Sequence, residues 1–286
     1  MTKKRLINPL ISTLLTIINP GLGQLRNEQP LKSILFYSIW YIFSIILIWF
    51  QVYSTFKGLL LLIVIFLVFY AYFILDALII SLKTKTQAKK AYNKWIIYLV
   101  IIILNIYIAS LYKDYINKNY MTAHHVPTIS MEPTLRIGDY FIADYRYFVD
   151  NQVQSGDVII IKFPKDTTIK YVERCIALGG QTVVIKDKSI YVDGHPFQDT
   201  LNVQFIDPVI QSEKHLDPSI YPPYAGNRDN YGPIKVPVGH CFVLGDNRDN
   251  SYDSRYWGFV PSKYVLAKPL YIYWSDNMSR IGKTIE

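Results

Sequence analysis

Acyl transfer by a serine needs a base to take its proton and donors to hold the oxyanion that forms. Side chains of that kind gather in a few short stretches of this chain. "VPTISMEPTLRIGDYFIADYRY" (126–147) offers the hydroxyls Thr128 and Ser130. "GDVIIIKFP" (156–164) reads as a strand that stops at a proline. "IKYVERC" (169–175) alternates like a strand, yet it carries Lys170, Glu173 and Arg174. "GDNRDNSYDSRYWGFVP" (245–261) is packed with short hydrogen-bonding side chains, the composition that holds a rigid polar turn. Taken bare, a serine ahead of Met-Glu-Pro-Thr is an ordinary turn residue. Only the company it keeps can give it a chemical role.

Metal chemistry is the first alternative. A calcium loop starting at Asp246 requires glycine at its sixth position and glutamate at its twelfth. Those positions hold Ser251 and Trp257, which excludes it. His124 and His125 lack partners at ligand spacing and read as a solvated linker. No metal and no cofactor are expected. The two cysteines, Cys175 and Cys241, form neither a disulfide framework nor a zinc pair. One disulfide or two buried thiols both remain open.

These stretches must be positioned by a chain of two characters. Of the 286 residues 51% are hydrophobic, and most of those lie before residue 113. Ser33–Gln51, Gly58–Leu82 and Trp95–Tyr112 are each long and apolar enough to cross a bilayer, with Trp40, Trp49, Trp95 and Tyr112 near their ends. The net charge of +8 is concentrated beside these spans, at Lys3, Lys4 and Arg5 and in "KTKTQAKKAYNK" (83–94). That distribution points to membrane topology and anionic lipid rather than nucleic acid. It places the 83–94 loop and the N-terminus inside the cell and everything after residue 113 outside. Residues 6–25 are apolar but broken by Asn8, Pro9, Asn19, Pro20 and Gly21. No small-x-small cleavage site follows them, so a re-entrant or interfacial helix is expected rather than a signal peptide. If they crossed, the parity of every later segment would invert.

Three parts follow: residues 1–32 as a cytoplasmic or interfacial segment, 33–113 as a membrane domain of three helices, and 114–286 as an extracytoplasmic β-rich domain. In the last, short alternating or β-branched runs are separated by Gly, Pro and Asp, an all-β pattern. The proline-rich stretch 199–236 is expected to be an irregular insertion.

The order Ser-Met-x-Pro-Thr, Gly-Asp-Val, Tyr-x-x-Arg and Gly-Asp-Asn-Arg-Asp-Asn-Ser-x-Asp-Ser-Arg-x-Trp-Gly, over 124–275, resembles the type I signal peptidases. These are membrane-anchored serine proteases with a Ser-Lys dyad. The resemblance implies transmembrane helices followed by an all-β, partly barrel-like catalytic domain. It implies Ser130 as nucleophile, its own N–H and the Thr128 hydroxyl as oxyanion donors, and Ser251 as the group that orients the base. Met131, Leu135, Tyr171 and Val172 would line the substrate pockets. Asp246, Asn247, Arg248, Asp253, Ser254 and Arg255 would brace the site. The implied substrates are signal peptides of translocated preproteins, with membrane lipid and the secretion machinery as neighbours. The implied location is the cell membrane, with the catalytic domain outside.

One position departs from the pattern. The family's lysine base stands just before the arginine in Tyr-x-Lys-Arg, and here that place holds Glu173. Lys170 could substitute only if a bulge brought it round, because residues three apart on a regular strand face opposite ways. Glu173 could itself be the base, although an unshifted glutamate is weak and would allow activity at low pH. Another lysine, such as Lys162 or Lys235, could serve. Failing all of these, the protein would bind signal sequences with little or no cleavage.

Overall fold

The computed structural model describes residues 4–6, 8–84, 86–88, 94–198 and 203–286. Lys3, Lys85, Lys89 and Lys90 of the charge argument, and 199–202 of the expected insertion, lie outside them. The chain forms two compact units, residues 1–116 and 117–286.

The first unit is helical. A short strand β1 (Lys4–Leu6) pairs antiparallel with β2 (Thr86–Ala88). Between them run α1 (Pro9–Ile18), α2 (Leu22–Arg26), α3 (Pro30–Trp49) and α4 (Phe56–Lys83), and α5 (Trp95–Asn119) follows β2. Asn8 caps α1 by accepting from the Leu10 N–H, and Thr55 caps α4 by accepting from Gly58 N–H. The helices α3, α4 and α5 have 20, 28 and 25 residues and mean hydropathies of 1.9, 2.9 and 2.2. Each is long and apolar enough to span a bilayer of about 30 Å hydrocarbon thickness. They match the three expected spans, with α5 extending seven residues past Tyr112 because "KDYINKN" contains no helix breaker.

The second unit is mostly β. One sheet runs in the order β12 (Val260–Pro261), β11 (His240–Leu244), β6 (Asp166–Leu178), β5 (Val158–Phe163), β13 (Val265–Trp274), β4 (Tyr140–Asp144) and β3 (Met121–His125), and every pair is antiparallel. A smaller sheet has the order β10 (Tyr231–Lys235), β7 (Thr182–Lys186), β8 (Ser189–Val192) and β9 (His195–Pro196). Two one-turn helices, α6 (Tyr147–Asp150) and α7 (Ser254–Trp257), complete the unit. No described pairing joins β12 to β3, so the large sheet is open. Its faces are both covered, which explains the unbroken apolar run in β5. Val158 and Ile160 pack with Met131, Leu135 and Phe141 on one face. Ile159 and Ile161 pack with Cys175, Cys241, Val243 and Trp257 on the other. Both thiols in that second core are free and buried.

Two expectations need correction. His124 and His125 are not a solvated linker. They end β3, where His124 stacks on Phe141 and Tyr145 and His125 packs against Tyr140. The stretch 199–236 is irregular where described, except for β10, whose Tyr231 and Ile234 complete the small sheet's core despite Pro233.

The segment after Ser130 is tied down by Arg280. Its guanidinium donates to Asp139 at 2.6 Å and to the carbonyls of Pro133 and Thr134 at 3.2 and 2.8 Å. Asp139 also accepts from the Arg136 N–H and the Ser275 hydroxyl. Removing one partner strands a buried charge, so Arg280→Ala should destabilise the catalytic unit by about 3–5 kcal/mol. Denaturant unfolding of the full chain in detergent would measure this, and a loss below about 1 kcal/mol would remove the clamp from the account.

Candidate active site

The site is built where the long strand β6 leaves its partner. β11 pairs with β6 only from Arg174 to Leu178, whereas β5 pairs with it from Asp166 to Arg174. The β11-side edge of β6 before Arg174 therefore has no described strand partner. Ile169, Lys170, Tyr171, Val172 and Glu173 line a cavity of about 430 Å³ there. Thr128, Ser130, Met131 and Leu135 line the same cavity from the other side. The structure thus brings together the expected nucleophile, the second hydroxyl and all four expected pocket residues. The Thr128 and Ser130 hydroxyl oxygens are 3.2 Å apart.

The polar turn after β11 anchors the loop that carries Ser130. Asn247 N–H donates to the Ser130 carbonyl at 2.9 Å, and the Asn247 side chain donates to the Ile129 carbonyl at 3.1 Å. Gly245 fits between the two serines: a Cβ there would stand 2.3 Å from Ser251 Oγ and 2.5 Å from the Ser130 carbonyl oxygen. The turn is braced by two buried ion pairs. Arg174 grips Asp246 with two donors at 2.7 Å, and Thr134 donates to the same carboxylate. Arg255 grips Asp253 at 2.9 and 2.7 Å and donates to the Arg248 carbonyl at 2.6 Å. Ser254 accepts from the Val243 N–H. Arg248 is buried and its N–H donates to the Gln204 carbonyl.

The register from Val158↔Arg174 to Lys162↔Lys170 is continuous, without a bulge. Lys170 and Glu173 therefore point to opposite faces of β6. Lys170 is exposed at the cavity wall, where its ammonium donates to Tyr145 Oη at 2.9 Å. That oxygen lies 3.2 Å from His124 Nε2. Burial, and then the charge of Lys170, pushes His124 down to about 4, so the imidazole is neutral near pH 7.

Glu173 is buried, and its Oε2 has no hydrogen-bond partner. Burial pushes its carboxyl well above the ordinary glutamate range, Asp253 and then Asp246 add to the rise, and Arg255 opposes it. Ser251 Oγ and Asn247 Oδ1 are also buried without partners. Ser251 does not line the cavity itself. Lining residues that the sequence reading passed over include His124, Asn250 and Tyr252. His124 was legible in principle, since "MTAHH" has no breaker and precedes a strand. Among the described residues no group of His, Cys, Asp and Glu could hold a metal ion.

Comparison with known proteins shows the family. Residues 92–274, more than half the chain, match the family described as signal peptidase, peptidase S26. Signal peptidase I of Pseudomonas aeruginosa is 31% identical over 198 residues, covering 55% of this chain and 69% of that protein. Signal peptidase I T of Bacillus subtilis is 28% identical over 201 residues, covering 70% of this chain and 96% of that one. A solved signal peptidase I from Enterococcus faecalis is 27% identical, with a TM-score of 0.31 over 41% of this chain and 97% of that one. The chain belongs to the signal peptidase family, peptidase S26, and is a serine endopeptidase of the signal peptidase I type.

Proposed function

We propose that the protein cleaves signal peptides from preproteins with Ser130 as nucleophile and Glu173 as general base. The observation that carries this reading is a buried, unpartnered carboxyl oxygen on Glu173, which lines one cavity with Ser130. The preprotein would lie as an added strand along the unpaired edge of β6, with its side chains against Met131, Leu135, Tyr171 and Val172. Ionised Glu173 takes the proton of Ser130 Oγ as that oxygen attacks the scissile carbonyl. The Ser130 N–H and the Thr128 hydroxyl hold the oxyanion. Protonated Glu173 then gives its proton to the departing amine, and a water deprotonated by the same carboxylate releases the acyl group. Asn247 and the two ion pairs hold the Ser130 loop in place. The basic 83–94 loop would lie in the cytoplasm, and the catalytic unit would face outward at the cell membrane, near lipid and the secretion machinery.

Burial changes the expected pH behaviour. A carboxyl raised well above its usual range is a stronger base once ionised, but it ionises later. Cleavage should therefore rise with pH along a limb well above that of an ordinary glutamate, not persist into acid. Ser130→Ala should lower cleavage of a model preprotein by roughly 10³-fold or more, and Glu173→Gln by a comparable factor. Loss of cleavage in Lys170→Ala with retention in Glu173→Gln would transfer the base to Lys170. A wild-type protein that binds the preprotein and never cuts it would make the chain a signal-sequence binder instead.

The same proton gives a stability signature. An acid whose folded pKa is raised holds its proton more tightly in the fold. Its contribution is complete below the unfolded value and is lost as pH climbs toward the folded one, at about 1.4 kcal/mol per pH unit. Glu173→Gln mimics the protonated state and should abolish that decline, leaving the variant more stable than wild type at neutral pH. Unfolding midpoints between about pH 4 and 8 test it, and parallel curves for the two proteins would contradict it.

A further inference from the structure

The helix α1 is inside out. Its buried residues are Ser12 and Thr16, while Leu10 is 66% exposed, Ile18 is 64% exposed, and Leu14 and Ile17 are also exposed. A surface helix in water has the reverse pattern. At ten residues it is about 15 Å long, half of what a crossing needs.

The chain then turns back along α1. Leu22 N–H donates to the Asn19 carbonyl at the tip, where Gly21 has a φ of +91°. A Cβ on Gly23 would stand 2.0 Å from Thr16 Oγ1 and 2.9 Å from Ala77 Cβ, so only glycine lets α2 approach α1 and α4 this closely. At the mouth, Ser12 Oγ donates to Asn27 Oδ1 at 2.9 Å, and Asn27 Nδ2 donates to the Ala77 carbonyl at 2.8 Å. Residue 27 has thus returned to the level of residue 12.

The depth of the hairpin can be read against the long helices. Near the tip, the Ile17 carbonyl accepts from Tyr70, midway along α4. Asn19 accepts from Tyr37 and from Asn105 Nδ2, and Asn105 lies near the middle of α5. Near the mouth, Gln24 donates to the Phe73 carbonyl, and Lys32 pairs with Asp76 toward the end of α4. The pairing of β1 with β2 holds residues 4–6 beside the connection between α4 and α5. The entry to the hairpin, its mouth and that connection therefore share one end of the helical unit.

The geometry points to a re-entrant hairpin: residues 8–27 enter the bilayer to its middle, return on the same side, and present Leu10, Leu14, Ile17 and Ile18 to lipid acyl chains. Lipid is the occupant because α1 belongs to the unit of the three spans. Its polar groups are satisfied inside that unit, as backbone at membrane depth requires, and its outer face continues their apolar surface. The hairpin adds no crossing, so residue 8 and residue 57, in the first turn of α4, lie on opposite sides of the membrane.

Asn8→Cys and Lys57→Cys variants of the full chain, in sealed vesicles of one orientation, should react with an impermeant maleimide from opposite sides, with sites assigned by peptide mass. Labelling from the same side means that residues 8–27 cross, and overturns the inference. A nitroxide on Leu14→Cys should collide with oxygen and not with a water-soluble nickel chelate. Relaxation by the chelate equal to that of an Asn8→Cys label would place the face in water and overturn it as well.

Discussion

Desolvation of the residue before Arg174 governs the catalytic unit. That position has almost no exposed surface and is ringed by charges already committed to one another, Arg174 with Asp246 and Arg255 with Asp253. Such a place penalises any net charge, whatever its sign. At Glu173 the penalty falls on the carboxylate, so burial, then Asp253 and Asp246, push the carboxyl well above its usual range, with Arg255 opposing. A lysine in the same place would be pushed the other way, towards its neutral amine.

The ion pairs do more than set that environment. Each carries a catalytic loop by the same side chains. Asp246, held by Arg174, begins the turn whose next residue ties down the Ser130 carbonyl. Asp253, held by Arg255, caps the short helix that follows Ser251. Arg174 itself follows Glu173 on the strand, so Glu173, the turn and Ser130 share one frame. Isolated buried pairs are poor sources of stability. Here their value lies in geometry, because bidentate grips fix orientation as well as distance.

The sequence carried much of this frame and little of the electrostatics. Spans, strand runs and the polar turn were legible because they depend on periodicity and local composition. The faces of β6 were legible only conditionally, since a single bulge would have reversed the positions of Lys170 and Glu173. The raised carboxyl of Glu173 was not legible, because it depends on burial and then on Asp253 and Asp246, about seventy or more residues away in the chain. His124 was misjudged for a similar reason: Tyr145, just past β4, and the charge of Lys170, on β6, lie 21 or more residues away in the chain. In the first unit, Pro and Gly breaks revealed that residues 6–25 were unlike the spans. The inverted burial of Ser12 and Thr16 appears only when α2 and α4 are in place.

Both units answer one constraint, that a polar group removed from water must find a partner or lose its charge. The helical unit meets it largely by pairing: Asn19 and Asn27 spend their side chains on neighbours or on a helix carbonyl, and Gln24 donates to the Phe73 carbonyl although its Oε1 has no partner. The catalytic unit leaves it partly unmet. Glu173 Oε2, Ser251 Oγ and Asn247 Oδ1 remain without partners around the nucleophile's loop. Unsatisfied groups of this kind cost stability, on the order of 1–3 kcal/mol each. In a structural turn that cost has no return. Beside the cavity that Ser130 and Glu173 share, an unmet bond leaves room for an incoming polar group to satisfy it.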